Sequence, residues 1–395
     1  MRKPSIQLTL QTASLVTGFM MWVLISSLIP SIKQDIPLTE SQVSIITAIP
    51  VILGSLLRIP IGFYTDRFGA RKLFMISFTV LLFPVFYISV ANSFIDLVIG
   101  GLFLGIGGAV FSVGVTSLPK YYPKEKQGFI NGVYGVGNAG TAITTFGAPI
   151  IAQSLGWQKT AQLYLILLLI FIVFNFIFGD RKEVKVKQSM AEQLKSVCKN
   201  RTLWFLSLFY FITFGAFVAF TMFLPNFLVN NFNLDSVDAG IRTAGFIVLA
   251  TLMRPIGGLL ADKFNSFIIL MFTFIAVTLS AVILAFSPNI ELFTVGCLAV
   301  ALFVGIGNGT VFKLVPLYFS KQAGVVNGIV SAMGGLGGFF PPLVLTAVHN
   351  ITGQYSIAFM ALSEVALACL VIVVWLYEQE RTENHRKFIG KTKEL

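Results

Sequence analysis

Twelve runs of roughly twenty apolar residues, parted by short polar breaks, govern what this chain can become. An α-helix rising 1.5 Å per residue needs about that length to cross a ~30 Å hydrocarbon core. The runs fall at about 8–30, 41–64, 72–92, 96–118, 127–153, 160–179, 202–230, 238–261, 265–287, 291–313, 323–348 and 355–377. They are too long and too rich in Phe, Leu and Gly for the short alternating strands of a membrane barrel. Composition agrees: 56% of residues are hydrophobic and 11% charged, against about 25% charged in chains that face water. The expected fold is an all-α membrane protein with twelve transmembrane helices in two pseudo-symmetric six-helix bundles. Arg2 and Lys3 precede a long apolar stretch without a short core and small-residue cleavage site, so that stretch reads as a retained first span rather than a signal peptide. Cys198, Cys297 and Cys369 have no metal or redox spacing.

Basic residues set the orientation, because Lys and Arg collect in cytoplasmic loops. One face takes Arg2, Lys3, Arg67, Arg71, Lys72, Lys120, Lys124, Lys126, the basic residues from Arg181 to Arg201, Lys263, Lys321 and those from Arg381 onward; the other takes Lys33, Lys159 and Arg242. The chain is therefore read as a multi-pass protein of the cell (inner or plasma) membrane with both termini cytoplasmic. Its net charge of +11 is explained by topology. Nucleic-acid binding, the competing reading of a basic chain, does not suit charges scattered over many short loops, and no nucleic-acid partner is expected.

The longest polar interval, Asp180 to Arg201, divides the chain into a bundle over 1–179, a cytoplasmic linker over 180–201, a bundle over 202–380 and a tail over 381–395. The halves repeat at an offset of 196 residues: Arg58 with Arg254, Gly62 with Gly258, Asp66 with Asp262, Gly128 with Gly324, Asn131 with Asn327, Gly132 with Gly328. Six spans per half make parallel repeats, the arrangement of transporters that bind between rocking halves near the midplane. Gly128, Gly132, Gly135, Ala139 and Ala142 put small side chains on one face of span 5; Gly324, Gly328, Ser331, Gly335 and Gly338 do so on span 11. Such stripes admit close helix approach, either as static packing or as a surface on which the halves slide.

Arg58 lies eight residues before Asp66 at the end of span 2, about 12 Å into the membrane. Arg254 repeats it on span 8. A charge at the bilayer centre costs at least ~2.5 to 3.5 kcal/mol on insertion scales and marks a functional site by default. Pairing with buried carboxylates would be the plain alternative, as would snorkelling. Away from the span edges, Glu364 on span 12 is the one acid available, too few for two arginines and Lys313. Two guanidinium forks that stay charged at any working pH then need an oxyanion. The expected substrate is a small inorganic anion, in a cavity that phenylalanines such as Phe19, Phe111, Phe214 and Phe217 make narrow and poorly polarisable.

The segment GFYTDRFGARK, Gly62 to Lys72, with its echo GLLADK, Gly258 to Lys263, resembles the loop signature of the major facilitator superfamily. Gly105 to Gly140, GIGGAVFSVGVTSLPKYYPKEKQGFINGVYGVGNAG, and Gly305 to Pro342, containing GIGNGTVFKLVP and VNGIVSAMGGLGGFFPP, resemble the two signatures of its nitrate/nitrite porter family. The resemblance implies the major facilitator fold and substrate arginines at Arg58 and Arg254. It also implies a nitrate cavity lined by Tyr210, Phe214, Phe111 and Asn138, with Phe19 a weaker match. Asp66, Arg67, Arg71 and Asp262 would form a cytoplasmic gate of salt bridges, or alternatively simple positive-inside anchors.

Nitrate and nitrite are thus the expected substrates, the lipid bilayer the surroundings, and a monomer the expected state, with no cofactor or metal. Repulsion between the emptied arginines, about 3 kcal/mol at ~6 Å and an effective ε near 20, favours nitrate/nitrite antiport: nitrate uptake with nitrite extrusion. Proton-coupled nitrate symport is the alternative, with Glu364 and Lys313 as coupling candidates. A channel or a nitrate sensor belongs to other classes. A membrane enzyme is not expected, since His349 and His385 have no nucleophile or metal ligands beside them.

Overall fold

The computed structural model describes the backbone of residues 3–186, 188–287, 289–352 and 354–392. The side chains of 340–351 and of 383 onward lie outside the described set, as do those of 40, 226, 230, 236 and 237. Arg2, Lys187, His349, His385 and the basic residues of the tail beyond Thr382 are therefore outside it.

Among the described residues every regular element is helical. The first half comprises α1 (Pro4–Trp22) and α2 (Leu24–Asp35), α3 (Glu40–Phe68), α4 (Ala70–Ser89), α5 (Phe94–Ala109) and α6 (Phe111–Ser117), α7 (Gln127–Gly135) and α8 (Ala139–Leu155), and α9 (Trp157–Phe178). A short α10 (Met190–Val197) sits in the linker, and the second half is α11 (Arg201–Phe232), α12 (Ser236–Lys263), α13 (Ser266–Ala285), α14 (Ile290–Tyr318), α15 (Ala323–Thr352) and α16 (Ser356–Thr392). Among the described residues ten stretches are long and apolar enough to cross a bilayer. The broken pair α7–α8 and the glycine-rich α15 occupy the positions of the remaining two expected spans.

Three expected spans are interrupted. Span 1 breaks at Val23, span 4 at Val110, and span 5 at a 3-10 turn over Val136–Asn138. The last break falls in the sequence GVGN, where glycines weaken helix propensity and the tighter turn re-aims the side chains that follow. Linker residues are better ordered than a polar interval suggests: Ser189 and Glu192 form a reciprocal capping box that starts α10. Thr39 and Gln42 start α3 in the same way. Gly69, at φ +88°, lets the chain turn from α3 into α4 without the steric cost a side chain would meet there.

The two small-residue stripes sit where the halves meet. A Cβ on Gly132 would lie 2.6 Å from the Pro255 Cα of α12, and one on Gly128 2.9 Å from Asp262. A Cβ on Gly328 would lie 2.7 Å from the Arg58 carbonyl oxygen, and one on Gly62 would meet the Gly324 carbonyl. Thus α7 lies backbone to backbone on α12, and α15 on α3. Further along, Gly137 and Gly140, outside the first stripe, pack on Leu15 and Val16 of α1, and Gly338 of the second stripe packs on Val218 of α11.

Gly328→Val should force these backbones apart. Overpacking of this kind costs about 1–3 kcal/mol, so a lowered thermal midpoint in detergent and markedly slower transport are expected. An unchanged midpoint and rate would mean that the close approach is dispensable.

Candidate functional site

Arg58 and Arg254 are 1% and 2% exposed, among the largest fully enclosed side chains. Among the described residues no carboxylate lies within ion-pairing distance of either. Arg58 donates from Nε to the Gly108 carbonyl at 3.2 Å and from Nη1 to the Ser331 carbonyl at 2.5 Å, and so spans from α3 across to α15. Arg254 donates from Nη2 to the Tyr210 hydroxyl at 2.9 Å, while its Nε and Nη1 find no acceptor among the described residues. A buried donor left without an acceptor costs about 1–3 kcal/mol, more when charged. Arg254 therefore retains donors that a further acceptor could satisfy.

Two aromatic rings fix how far apart those groups stand. The Phe111 centroid is 5.5 Å from the Cζ of Arg58 and 5.4 Å from that of Arg254; for Phe214 the distances are 5.3 and 5.6 Å. With the two centroids 6.4 Å apart, the triangles they form allow at most about 9 Å between the guanidinium carbons, each held by cation–π attraction. One small planar anion bridges such a gap. Tyr210 stacks on Phe214 at 5.1 Å and 4°, and the edges of Phe312 close on Phe111 and Tyr210. Gly135 and Gly335 leave the space the arginines need, since a Cβ on the first would lie 2.5 Å from Arg254 Nε and one on the second 3.3 Å from Arg58 Nη1.

Asn138 ends the 3-10 turn that packs between α1 and α12, buried, with neither amide atom hydrogen-bonded among the described residues. Such an amide offers both a donor and an acceptor to an oxyanion or its water. Phe19 stands behind the others: its ring contacts Trp22 at 5.1 Å and Phe111 at 6.5 Å. Ser331, singled out in the sequence only as a small residue of the span 11 stripe, holds Arg58 with its carbonyl, and its hydroxyl lies 3.0 Å from that of Ser112. No side-chain rule selects a residue for its backbone oxygen.

The expected gate residues separate. At the end of the bundle rich in basic residues, Asp66 accepts the Gly324 N–H at 2.7 Å and pairs with Lys120 at 2.8 Å. In the other half Asp262 accepts the N–H groups of Gly128 and Phe129, at 3.0 and 2.7 Å, and pairs with Lys313 at 2.6 Å. Each carboxylate thus caps the first turn of a helix from the opposite half, where unpaired N–H groups and the helix dipole favour negative charge. Asn131 and Asn327 add a symmetric pair of bonds across the halves, to the Phe312 carbonyl and to the Val115 carbonyl and Thr116 hydroxyl. Arg67 and Arg71 stand outside this latch. Arg67 lies over the Phe68 ring, and Arg71 donates to the Phe176 carbonyl within its own half.

Two readings of buried charge are corrected. Lys313 is no stranded cation near the midplane, because it is the partner of Asp262 and donates to the Lys124 carbonyl as well. Glu364 is exposed on the outer flank of α16 and does not face the arginines. The sequence left Lys120 among ordinary loop lysines, yet it joins Asp66 to Glu183 of the linker, which also accepts the Ala70 N–H. Toward the other end of the bundle a cavity of about 390 Å³ is lined by Trp22, Thr47, Thr141, Phe217, Thr221 and Thr243, with others.

Comparison with known proteins gives the chain a context. A family model described as Major Facilitator Superfamily matches residues 12–340 and 210–393. The nitrite extrusion protein of Bacillus subtilis (strain 168) is 67% identical over 380 residues, 96% of either chain. The probable nitrate transporter NarT of Staphylococcus epidermidis is 54% identical over 381 residues, 96% of this chain and 98% of that one. In fold, the crystal structure of the human organic anion transporter MFSD10 superposes with a TM-score of 0.78 at 14% identity, over 94% of this chain and 100% of its own. The Escherichia coli fucose:proton symporter FucP does so at 0.74 and 15% identity, over 95% and 99%.

Asp66→Asn should loosen the latch. In a background without native cysteines, a cysteine at Thr116 should then react with maleimide from the basic end about tenfold faster, the factor for a ~1.4 kcal/mol shift in the balance of conformers. An unchanged labelling rate would show that the carboxylate does not hold the halves together.

Proposed function

We infer that this chain, which belongs to the nitrate/nitrite porters of the major facilitator superfamily, carries nitrate and nitrite across a cell membrane by alternating access and exchanges one anion for the other. The observation that carries this reading is the pair Arg58 and Arg254, buried no more than about 9 Å apart, with no carboxylate among the described residues within ion-pairing distance of either. The names of its relatives support the same substrates.

The anion reaches the arginines from the cavity beyond Trp22 and accepts from both guanidinium forks. Tyr210, whose oxygen already accepts from Arg254, keeps its own proton to donate. Asn138 offers its amide, and Phe111 and Phe214 exclude anything much larger than a triatomic or tetraatomic planar ion. The bundles 1–179 and 202–380 then rock about the site, tethered by the linker 180–201. The latch of Asp66 and Asp262 opens on the basic end, which the positive-inside rule assigns to the cytoplasm together with both termini. One chain holds the whole site, so a monomer suffices.

Exchange follows from charge. At no more than about 9 Å and an effective ε near 20, two bare guanidinium groups repel by at least about 2 kcal/mol. The empty carrier therefore returns more slowly than the loaded one. Swapping one monovalent anion for another moves no net charge, which avoids the ~2.3 kcal/mol per 100 mV that opposes anion entry into a negative interior. Symport with protons would need a titratable group at the site, and neither Glu364 nor Lys313 supplies one there.

In proteoliposomes, nitrate uptake should be at least about tenfold faster into vesicles loaded with nitrite than into empty ones, the factor for slowing return by more than ~1.4 kcal/mol. Arg58→Lys should abolish most of it, since hydrogen bonds to charged groups are worth about 1.5–3 kcal/mol and an ammonium lacks the fork. The exchange rate should be flat between about pH 6 and 8, because guanidinium groups stay charged throughout. Uptake into empty vesicles driven by a proton gradient would overturn exchange in favour of symport.

A further inference from the structure

Helix α1 stops at Trp22 and resumes as α2 at Leu24, with Val23 at φ −103° and ψ 5° between them. No proline stands at this break; an indole does. Trp22 is 5% exposed, and its Nε1 has no acceptor among the described residues. Glycines shape its berth: a Cβ on Gly108 would lie 2.9 Å from Cδ2 and Cε2 of the indole, and one on Gly54 would lie 3.4 Å from Nε1. Gly54 precedes Arg58 by one turn of α3. The indole nitrogen is therefore one turn from Arg58 on the cavity side, and the Arg58 Cζ lies 5.9 Å from the ring centroid.

Most hydroxyls of the cavity Trp22 lines, that of Thr145 apart, have little to offer an anion. Ser26 and Ser27 donate to the Val23 carbonyl, Thr47 to Val43, Thr141 to Asn138, Thr221 to Phe217 and Thr243 to Ala239. With those protons committed to their own helices, the oxygens turn lone pairs toward the cavity. An anion in it is served by water. The indole N–H is a donor without such a commitment, enclosed beside Gly54 in a residue that lines the cavity and one turn of α3 from the first arginine.

We propose that Trp22 is a further substrate-contacting residue, whose indole N–H takes the anion from the cavity and hands it to Arg58. This rests on the anion-transport reading above. Being neutral, the N–H binds an acceptor without adding to the repulsion between the arginines. Together with the Arg58 fork it favours an ion with two separate oxygens over a single-centred halide.

The test uses the full-length protein in nanodiscs with ¹⁵N-labelled indoles, titrated with sodium nitrate against sodium gluconate. The chain has 4 tryptophans, and Trp22→Phe identifies the signal of interest by its loss. Should that variant not fold, Trp157→Phe, Trp204→Phe and Trp375→Phe assign it by elimination. The Trp22 signal should shift saturably with a midpoint matching the KM of transport. Trp22→Phe should raise the KM for nitrate about 10- to 150-fold, as expected for loss of one charge-assisted hydrogen bond, with the maximal rate within about twofold. A signal unmoved by saturating nitrate, with a KM unchanged in Trp22→Phe while Arg58→Lys still abolishes transport, would overturn the role of Trp22 alone. Unimpaired transport by Arg58→Lys would overturn the arginine site and this inference with it.

Discussion

Two guanidinium groups buried side by side in a low-dielectric bundle, with no carboxylate among the described residues to neutralise them, set the terms for the rest of the molecule. Neither is affordable by itself at the bilayer centre. They are made tolerable by carbonyls at Gly108 and Ser331, by the Tyr210 hydroxyl and by the faces of Phe111 and Phe214. Several of these partners are incomplete, so a transient anion has hydrogen-bonding sites that the protein itself does not fill. In the proposed exchange mechanism the same incompleteness would couple substrate to motion, because the bare pair repels and the occupied pair would not.

The glycine stripes and the latch serve that coupling from different directions. Close contact of α7 with α12 and of α15 with α3 brings the helices bearing Arg58 and Arg254 against the opposite half. Movement of the halves then changes the surroundings of both charges at once. The latch uses backbone N–H groups as its acceptor-seeking side, with Asp66 and Asp262 each held by a lysine of its own half. Such bonds are strong when aligned and are lost together when the helices part, which suits a two-state element better than a row of flexible surface ion pairs. The halves are not equal, since Lys120 also holds linker residue Glu183 whereas Lys313 reaches the Lys124 carbonyl.

Sequence by itself determined a good deal. Hydropathy gave the all-helical membrane fold because lipid leaves a chain few ways to satisfy its backbone. The repeat at Arg58 and Arg254 marked the site because an unneutralised intramembrane charge has few other uses. What sequence could not supply was the third dimension of short polar contacts. Asp66 and Asp262 could be named as gate residues, but Lys120 and Lys313 could not be separated from Arg67 and Arg71, since all are cations near one membrane edge and the partner of each depends on helix rotation. The helix breaks at Val23, Val110 and Asn138 carry no proline and were invisible to apolar run length. Glu364 stood out as a coupling candidate by being the one acid inside an apolar span, and it is exposed, because which flank of a helix meets neighbours is decided by packing. Charge and hydropathy are properties of residues and are legible in a string; orientation and the identity of a partner belong to pairs of helices, and only the tertiary structure decides them.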